Sequence, residues 1–550
     1  MSATSNRWRQ WLLLAACLAF SAALSIALGQ DIFWDTKNYH LYNAWAFLHD
    51  RYALDLAPAS MQSFFNPLLD VPYFWLATGP LQAWPRTLAG LQGLWYGLLI
   101  FLVFRIAMRL AKLQRRPFGS ADACAALIGA TGTMAVSQIG STTNEIALAL
   151  LCLLSLYKLM PLLAQGGDLF PARRALIAGL LCGVAAGLKP TAIVYPPALA
   201  IALLLTLGVQ TRFAWQMTCA FAVGVTVAFL ASYGPWAWHL YQATGNPTFP
   251  MFNQLFHSSL TAATNGTDGQ FRPRSVGQWL FYPFYWLTKQ RGVVTETAFA
   301  DPRYALAMLA VLALVFARVF KRPRGPRQAD RGVRFLAIFA SLSFVLWMSL
   351  FSILRYAVPI EALTGLLMLA AIRAIAPLRA WPLLLSATSL QLLTGVLATT
   401  TYPNWWRGAY AKQVFDVDTG TIEPDSLVIF VGSPNAYLAP MFPHAETVGF
   451  VGLSWFVQAS RGYGLWDQIQ QRLRDHAGPR YVVFRSDSSQ AEFKLLNEML
   501  PLNHLTECRD IVSSLEVGKT KNKKYTDGPR LCRLTWLPPS TGLTLESPES

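Results

Sequence analysis

Residues 11–40 read WLLLAACLAFSAALSIALGQDIFWDTKNYH, an apolar run followed at once by a polar segment. The run from Trp11 to Leu28 approaches the roughly 20 residues that a helix needs to cross a bilayer. It exceeds the roughly 7 to 15 residues of a signal-peptide core, although Arg7 and Arg9 precede it as they would in a signal peptide. We interpret it as an uncleaved first transmembrane helix.

The composition of the whole chain extends this interpretation. Of its 550 residues, 54% are hydrophobic and 13% are charged, which is more apolar surface than a soluble protein of this length can bury. The net charge of +16 would suit nucleic acid, but the basic residues fall in short blocks between apolar runs. Such blocks indicate membrane orientation. The chain is predicted to be a polytopic α-helical membrane protein without a nucleic-acid partner.

Apolar windows of about 17 to 25 residues predict about eleven transmembrane helices. They are 11–29, 87–108, 121–138, 144–163, 174–189, 193–209, 214–233, 303–320, 333–353, 357–375 and 381–399. Lys and Arg concentrate in alternate loops, so the positive-inside rule places the N-terminus in the cytoplasm and the C-terminus outside. We expect a multi-pass protein of a plasma or bacterial inner membrane.

Two regions outside the spans have their own character. The first external loop, 30–86, contains two segments rich in aromatic residues and leucine, which predict short amphipathic helices lying in the membrane interface. From about residue 400 the composition becomes that of a soluble domain with strand, helix and strand patterns in turn. The sequence therefore predicts a transmembrane catalytic domain over 1–400 and a small extracytoplasmic α/β domain over 401–550.

Two cysteines fall within the predicted outer domain. Cys508 and Cys532 both lie in segments that read as strands. In an oxidising compartment such a pair is typical of a disulfide, and two free thiols are the alternative.

Several polar residues stand at the predicted outer ends of the spans. They are Asp31 and Asp35 after the first span, Asn144 and Glu145 at the start of the fourth, Lys189 at the end of the fifth, and Arg355 with Tyr356 after the ninth. Since the loop charges place all four groups on one side of the membrane, we expect them to lie close together. Ionisable groups at membrane borders often handle solutes, ions or lipid headgroups.

This set of groups suits glycosyl transfer from a lipid phosphate. A carboxylate of the first loop could act as general base on an acceptor hydroxyl or amine. Lys189 and Arg355 could neutralise the phosphate that leaves. Lys37 and His40 are further substrate-binding candidates, and His40 could contact phosphate or a metal.

Each of these residues also has an ordinary interpretation. An Asp in the first loop could cap the following helix, and Lys189 could extend along the helix end towards water. Glu145 could be a favourable charge at a helix N-terminus. These alternatives stay open at the level of the sequence.

The chain resembles the GT-C superfamily over about residues 1–400. The features that carry the resemblance are the first-loop acids, Glu145, Asn66-Pro-Leu-Leu, Gly187-Leu-Lys-Pro190 and Leu354-Arg-Tyr-Ala-Val-Pro359. Members of this superfamily are integral-membrane glycosyltransferases that use polyprenyl-phosphate sugars, such as protein O-mannosyltransferases and the lipid A aminoarabinose transferase.

The resemblance implies roles for individual residues. Asp35 would be the catalytic base, with Asp31 as its rival, and Glu145 would be a second acid of the site. Lys189 and Arg355 would contact the donor phosphate. Many relatives carry paired acids in the first loop, whereas here Thr-Lys follows Asp35, which leaves both the base and a divalent metal cofactor open.

The leading hypothesis is an inverting membrane glycosyltransferase that uses a polyprenyl-phosphate-linked sugar donor and works on the outer face of the bilayer. Its acceptor would be a glycan, a lipid or a protein. One alternative is a transporter or flippase for a lipid-linked or anionic solute, but the candidate ionisable groups lie at one face and the sequence shows no duplication. A second alternative is an O-antigen ligase or polymerase.

Overall fold

The computed structural model describes residues 3–164, 169–264, 269–320, 331–375, 381–485, 490–517 and 528–536. The chain divides into two compact units. The first, which we call the helical unit, comprises Met1–Gly29, Arg86–Trp236 and Thr267–Trp405. The second, the mixed unit, comprises Gln30–Pro85, Ala237–Gly266 and Trp406–Ser550. The predicted domain boundary at residue 400 stays a prediction.

Over its described ranges the chain has nine helices that are long and apolar enough to cross a membrane. They are Trp8–Leu28, Pro85–Leu113, Glu145–Leu163, Pro171–Leu188, Pro190–Leu207, Arg212–Thr244, Arg303–Phe320, Arg331–Leu350 and Pro382–Thr399. A further helix pair, Leu354–Glu361 and Thr364–Ile375, bends by 44° at its break. The predicted class of helical membrane protein is therefore confirmed, with nine or ten spans.

The count of eleven predicted spans is too high, because the segment 121–138 is broken. It forms the helix Ser120–Ala130 and the short helix Thr133–Ser137. The first has 11 residues and is about 16 Å long, roughly half the hydrocarbon thickness. A side chain at Gly132, in the break, would collide with Glu361. A window of mean hydropathy cannot detect such a break, because weakly polar residues such as Thr and Gly change the mean only slightly.

The mixed unit is built on a five-stranded sheet. Its strands are β1 (Leu427–Val431), β2 (Gly449–Leu453), β3 (Arg480–Phe484), β4 (Asn503–Asp510) and β5 (Arg530–Trp536), in the spatial order β2-β1-β3-β5-β4. β1 runs parallel to β2 and β3, and β5 is antiparallel to β3 and β4. Every residue of β1 is buried, as expected of a central strand covered on both faces.

Helices of this unit bury one face each against the sheet. The helix Gly464–Asp475 buries Leu465, Trp466, Ile469 and Leu473, a spacing that places them on one side.

The remaining helices of the chain are shorter. They include Trp455–Ala459, Gln490–Met499, Asn253–Phe256, Val276–Phe281 and the 3-10 turns Tyr282–Trp286, Ala436–Met441 and Ser514–Glu516. Cys508 on β4 and Cys532 on β5 are joined by a disulfide.

The first loop folds as part of the mixed unit. Its two aromatic segments contain the helices Leu41–Leu48 and Val71–Thr78, with 3-10 turns at Ser60–Phe64 and Pro67–Leu69 between them. The first helix buries its residues up to Ala46, whereas Trp75 on the second is 61% exposed. The second helix thus exposes a large apolar ring, whereas the first is buried except at its last two residues.

The loop also covers an edge of the sheet. Leu56 N donates to Phe450 O at 2.9 Å, and Gly452 N donates to Leu56 O at 3.0 Å, so Leu56 pairs with the outer strand β2. An edge strand with unpaired backbone groups tends to pair with other chains. This pairing protects β2 from such contacts.

A buried ion pair fixes the same part of the loop. Arg51 Nη2 lies 2.9 Å from Asp55 Oδ1, and both side chains are only 1% exposed. Phe450 N donates to the same Asp55 oxygen at 3.0 Å, and Tyr42 donates to the other at 3.0 Å. Burial raises the pKa of Asp55, and the hydrogen bonds from Arg51 oppose that rise. The carboxylate thus connects the loop with β2.

Substitution of Gly452 by Ala is expected to lower the free energy of unfolding by about 1–3 kcal/mol. The added methyl group would collide with the carbonyl oxygen of Ala57, which belongs to backbone and cannot turn aside. The change is measured as a lower melting temperature of the full chain in detergent. Gly395→Ala is the matched control, since its methyl group meets no atom within 4 Å. Equal melting temperatures for the two variants would contradict the close packing.

Candidate functional site

Three of the predicted site residues come together in the helical unit at ends and breaks of helices. Glu145 is the first residue of its helix. Lys189 follows the last residue of the helix Pro171–Leu188 and precedes a 3-10 turn. Arg355 lies in another 3-10 turn, Leu354–Ala357. Breaks of this kind let long polar side chains leave the apolar packing between helices.

Glu145 stands between the two cations. Lys189 Nζ donates to Glu145 Oε1 at 2.5 Å and to the carbonyl oxygen of Thr143 at 2.9 Å. Arg355 Nε lies 4.0 Å from the same carboxylate oxygen. The side chains of Lys189 and Arg355 are each 14% exposed, against 3% for Glu145. Two cations facing one carboxylate leave this cluster with a net charge of about +1.

Aromatic rings flank the cations. The Tyr356 ring centre lies 5.9 Å from Lys189 Nζ and 5.4 Å from the Arg355 guanidinium carbon. The Trp405 ring lies 5.9 Å from that guanidinium. Tyr195 donates a hydrogen bond to the backbone oxygen of Tyr356. The rings favour the cationic state and restrict the directions in which the two cations can extend.

The second carboxylate oxygen of Glu145, Oε2, is buried and makes no hydrogen bond within the described part of the chain. A buried polar atom of this kind calls for an explanation, such as a bound group or water. Asn144, just before it, has the left-handed φ of 67°, a conformation that Asn tolerates well. Asn144 thus allows the sharp turn into the helix, and its substrate contact stays a prediction.

The two first-loop acids have different environments in the mixed unit. Asp31 Oδ1 accepts from Phe33 N at 3.0 Å, and Asp31 Oδ2 accepts from Thr36 at 2.8 Å. Asp31 therefore stabilises the entry into the helical segment that follows. Asp35 is 4% exposed and makes no capping hydrogen bond. The capping interpretation thus fits Asp31 and does not fit Asp35, and the role of Asp35 as base stays a prediction.

Lys37 takes part in a buried network around Glu516. Lys37 Nζ lies 3.0 Å from Glu516 Oε2, and Arg485 places Nη1 and Nη2 at 3.0 and 2.6 Å from the two oxygens. Tyr437 donates to Oε1 at 2.8 Å. Thus Lys37 has a structural partner within the mixed unit, and its predicted contact with substrate stays a prediction.

The carboxylate of Glu516 and the ammonium group of Lys37 respond differently to burial in this network. Burial alone would raise the pKa of Glu516, but the hydrogen bonds from Arg485 and the charge of Lys37 outweigh it and lower this pKa to about 2. Burial lowers the pKa of Lys37, and Glu516 only partly opposes that fall. The lowered pKa of Glu516 favours the charged pair, whereas the lowered pKa of Lys37 disfavours it. We take Arg485 to contribute most of the stabilisation, because its fork matches the carboxylate in two hydrogen bonds.

His40 is paired with a carboxylate. Its Nδ1 lies 2.7 Å from Asp70 Oδ1, while Nε2 is buried and makes no hydrogen bond among the described residues. The described residues contain no cluster of three or more His, Cys, Asp or Glu side chains that could hold a metal ion. The described part of the chain therefore offers no set of ligands for a divalent metal.

A second polar cluster in the helical unit was missed by the sequence analysis. Glu361, Asp301 and Arg303 are all 0% exposed. Glu361 accepts from the backbone N–H groups of Met134 and Ala135 at 3.1 and 3.0 Å. Arg303 Nη1 lies 3.0 Å from Asp301 Oδ1. The sequence analysis thus left out three fully buried ionisable groups of the helical unit.

Hydrogen bonds saturate this second cluster. Thr133 donates to Asp301 at 2.9 Å and lies 3.3 Å from Glu361, and Tyr304 donates to Glu361 at 3.2 Å. Glu361 thereby caps the helix Thr133–Ser137 and holds the broken segments together. The available signal in the sequence was an acid inside an apolar run, since such residues are rare in membrane spans.

Known proteins resemble this chain only distantly. Scans of protein-family models and of curated proteins return no match. Among solved structures, the arabinofuranosyltransferase AftD from Mycobacteria resembles the chain with a TM-score of 0.47 and 15% identity, over 97% of this chain and 42% of that chain. ArnT from Cupriavidus metallidurans in the apo state gives a TM-score of 0.40 and 14% identity, over 96% of this chain and 98% of ArnT.

ArnT bound to undecaprenyl phosphate is similar to the same extent, with a TM-score of 0.40 and 13% identity over 97% of this chain and 98% of that chain. This chain spans less than half the length of AftD. At these TM-scores and identities the likeness assigns neither a fold nor a chemistry to this chain.

Proposed function

We propose that this protein is a membrane glycosyltransferase that moves a sugar from a polyprenyl-phosphate donor to an acceptor on the extracytoplasmic face, with inversion. The observation that supports it most is the convergence of Lys189 and Arg355 on Glu145, at helix breaks within the helical unit. The cluster combines a net positive charge with partial exposure. These are the properties required to hold an anionic leaving group.

The proposed reaction breaks the bond between the anomeric carbon of the sugar and the donor phosphate oxygen. The electron pair of that bond goes to the polyprenyl phosphate, whose growing charge Lys189 and Arg355 would stabilise. The acceptor oxygen or nitrogen bonds to the opposite face of the anomeric carbon, which inverts the configuration. Its proton passes to a carboxylate, for which Asp35 is our candidate.

Glu145 has a supporting role in this proposal. Its Oε1 holds Lys189 at 2.5 Å, which fixes the ammonium group in the absence of donor. Its Oε2, buried and without a hydrogen-bond partner in the described residues, could accept a sugar hydroxyl. One carboxylate would thus orient both the phosphate-binding lysine and the donor.

The bent helix pair would also suit a transporter, because transporters place ion sites at broken helices. Glu361 lies at that break, but three hydrogen bonds from Met134, Ala135 and Tyr304 occupy its carboxylate. A transport site would keep such a group available to its ligand. We therefore assign Glu361 a structural role.

The direct test is to incubate the purified full chain with labelled polyprenyl-phosphate sugars and to measure sugar release and transfer. We expect turnover with at least one donor of this class. Absence of turnover with every such donor, in the presence of membrane extracts as a source of acceptor, would contradict the proposed function.

Lys189→Gln and Arg355→Gln are each expected to lower kcat/KM about 10²- to 10³-fold, the usual effect of removing one group that stabilises developing negative charge. Arg212→Gln is the matched control, because Arg212 is an exposed cation of the same unit and should keep its activity. Melting temperatures separate lost catalysis from lost folding. Normal activity in both site variants would refute the phosphate-binding assignment.

A further inference from the structure

Two arginines of the helical unit converge on one tyrosine at a place distant from Glu145. Arg105 Nη2 and Arg109 Nη2 each lie 2.9 Å from the hydroxyl oxygen of Tyr157. The Arg109 guanidinium also lies 4.7 Å from the Tyr157 ring centre. Tyr157 is near the end of the helix that Glu145 begins, about 18 Å along its axis. The arginine pair is therefore separate from the cluster assigned to catalysis.

Among the residues that the structure describes, no acidic side chain pairs with either arginine. Arg105 and Arg109 are one helical turn apart on Pro85–Leu113, where like charges repel. Within the described ranges their hydrogen-bond partners are uncharged, namely Tyr157 and, for Arg105, Gln10 at 2.5 Å. By contrast, Arg116, which follows the same helix, donates to both carboxylate oxygens of Asp122 at 2.7 and 2.6 Å. Two partly buried guanidiniums that share a phenol oxygen call for an anion.

The surroundings of the pair favour a lipid over a soluble anion. Gln10, which contacts Arg105, lies between Trp8 and Trp11 in sequence, and both of these rings are 66% exposed. Exposed tryptophans at the end of an apolar helix are typical of the level of lipid headgroups. A phosphate at this level would meet the guanidiniums, and its acyl chains would run along the apolar helix below Trp11.

We propose that Arg105 and Arg109 form a binding site for the phosphate group of an anionic membrane lipid. The planar forks of two guanidiniums can hold several phosphate oxygens at once. Tyr157 holds both side chains in place when no lipid is bound. The bound phosphate removes the repulsion between the two charges and so stabilises the contact among the helices that carry Gln10, Arg105 and Tyr157.

The test uses the full chain in neutral detergent, with melting followed on addition of phosphatidylglycerol, phosphatidylcholine or inorganic phosphate. We expect phosphatidylglycerol to raise the melting temperature and the other two to have little effect. The double variant R105Q/R109Q should need about tenfold or more phosphatidylglycerol for the same shift, since charge-assisted hydrogen bonds are lost. Lys112→Gln, which removes an exposed cation of the same helix, should respond like the unaltered chain.

Several results would overturn the proposal. An equal response of R105Q/R109Q and the unaltered chain would show that the lipid acts elsewhere. An equal shift with inorganic phosphate would identify a site for free anions. Should the double variant fail to fold, Tyr157→Phe decides: it frees both guanidiniums, so its response to phosphatidylglycerol should be at least as strong as that of the unaltered chain, and a lost response would contradict the assignment.

Discussion

Replacement of Asp35 by Asn is expected to lower kcat about 10²- to 10⁴-fold, the usual contribution of a general base. The amide has nearly the shape of the carboxylate but cannot take the acceptor proton. Asp35 makes no capping hydrogen bond, so the fold does not depend on its charge in that way. Rates are measured with a labelled polyprenyl-phosphate sugar at saturating donor and acceptor, together with the melting temperature.

Asp50→Asn is the matched control for this result. Asp50 is an exposed residue of the same loop in the left-handed conformation, with φ 49°, which Asn adopts readily. It should therefore keep its activity. If Asp35→Asn were fully active and Asp31→Asn inactive at an unchanged melting temperature, the assignment of the base would be wrong and would pass to Asp31.

Replacement of Glu516 by Ala is expected to lower the free energy of unfolding by about 3–5 kcal/mol, because it leaves buried cations without their counter-charge. The side chains of Lys37 and Arg485 are 12% and 2% exposed, so water cannot replace the carboxylate well. The measurement is the melting temperature of the full chain in detergent. Glu498→Ala is the control, since its ion pair with Arg461 is 44% and 54% exposed and should contribute below about 1 kcal/mol.

The effect of Glu516 depends on pH in a defined direction. Its pKa falls from 4.5 to about 2 in the folded chain, so its contribution is complete above about pH 4.5. Below that value the unfolded chain binds a proton before the folded chain does, and the contribution is lost as the pH falls towards about 2. The difference in melting temperature between the unaltered chain and Glu516→Gln should therefore shrink on acidification. A constant difference would contradict the shift.

Much of the fold follows from local patterns. The apolar runs predict the long helices, because each run alone satisfies the length that a bilayer requires. The same runs hide the breaks at Gly132 and after Glu361, since hydropathy averages over a window while a break depends on a contact between distant segments. The covering of β2 by Leu56 likewise joins residues far apart in sequence, and no local pattern encodes it.

The candidate site was predictable in part. Glu145, Lys189 and Arg355 were identified because each ionisable residue interrupts apolar sequence at a helix end, and the structure places them together in the helical unit. Lys37 shows the limit of this reasoning. Its position next to Asp35 suggested substrate contact, but its partner Glu516 lies 479 residues away in sequence, and only the folded chain brings the two together.

The pairing of the first loop with β2 has a consequence for how the protein is made. Arg51 and the carbonyl of Glu446 that it contacts are 395 residues apart. At roughly 5–20 residues per second, the ribosome needs on the order of 20–80 seconds to complete that interval. During this time the loop that follows the first helix has been made, but the strand β2 with which it pairs has not. Arg51 and its neighbours remain hydrated until then. The mixed unit can therefore close only after nearly the whole chain has been inserted, and a chain that stops before residue 449 would leave the loop without the strand that completes it.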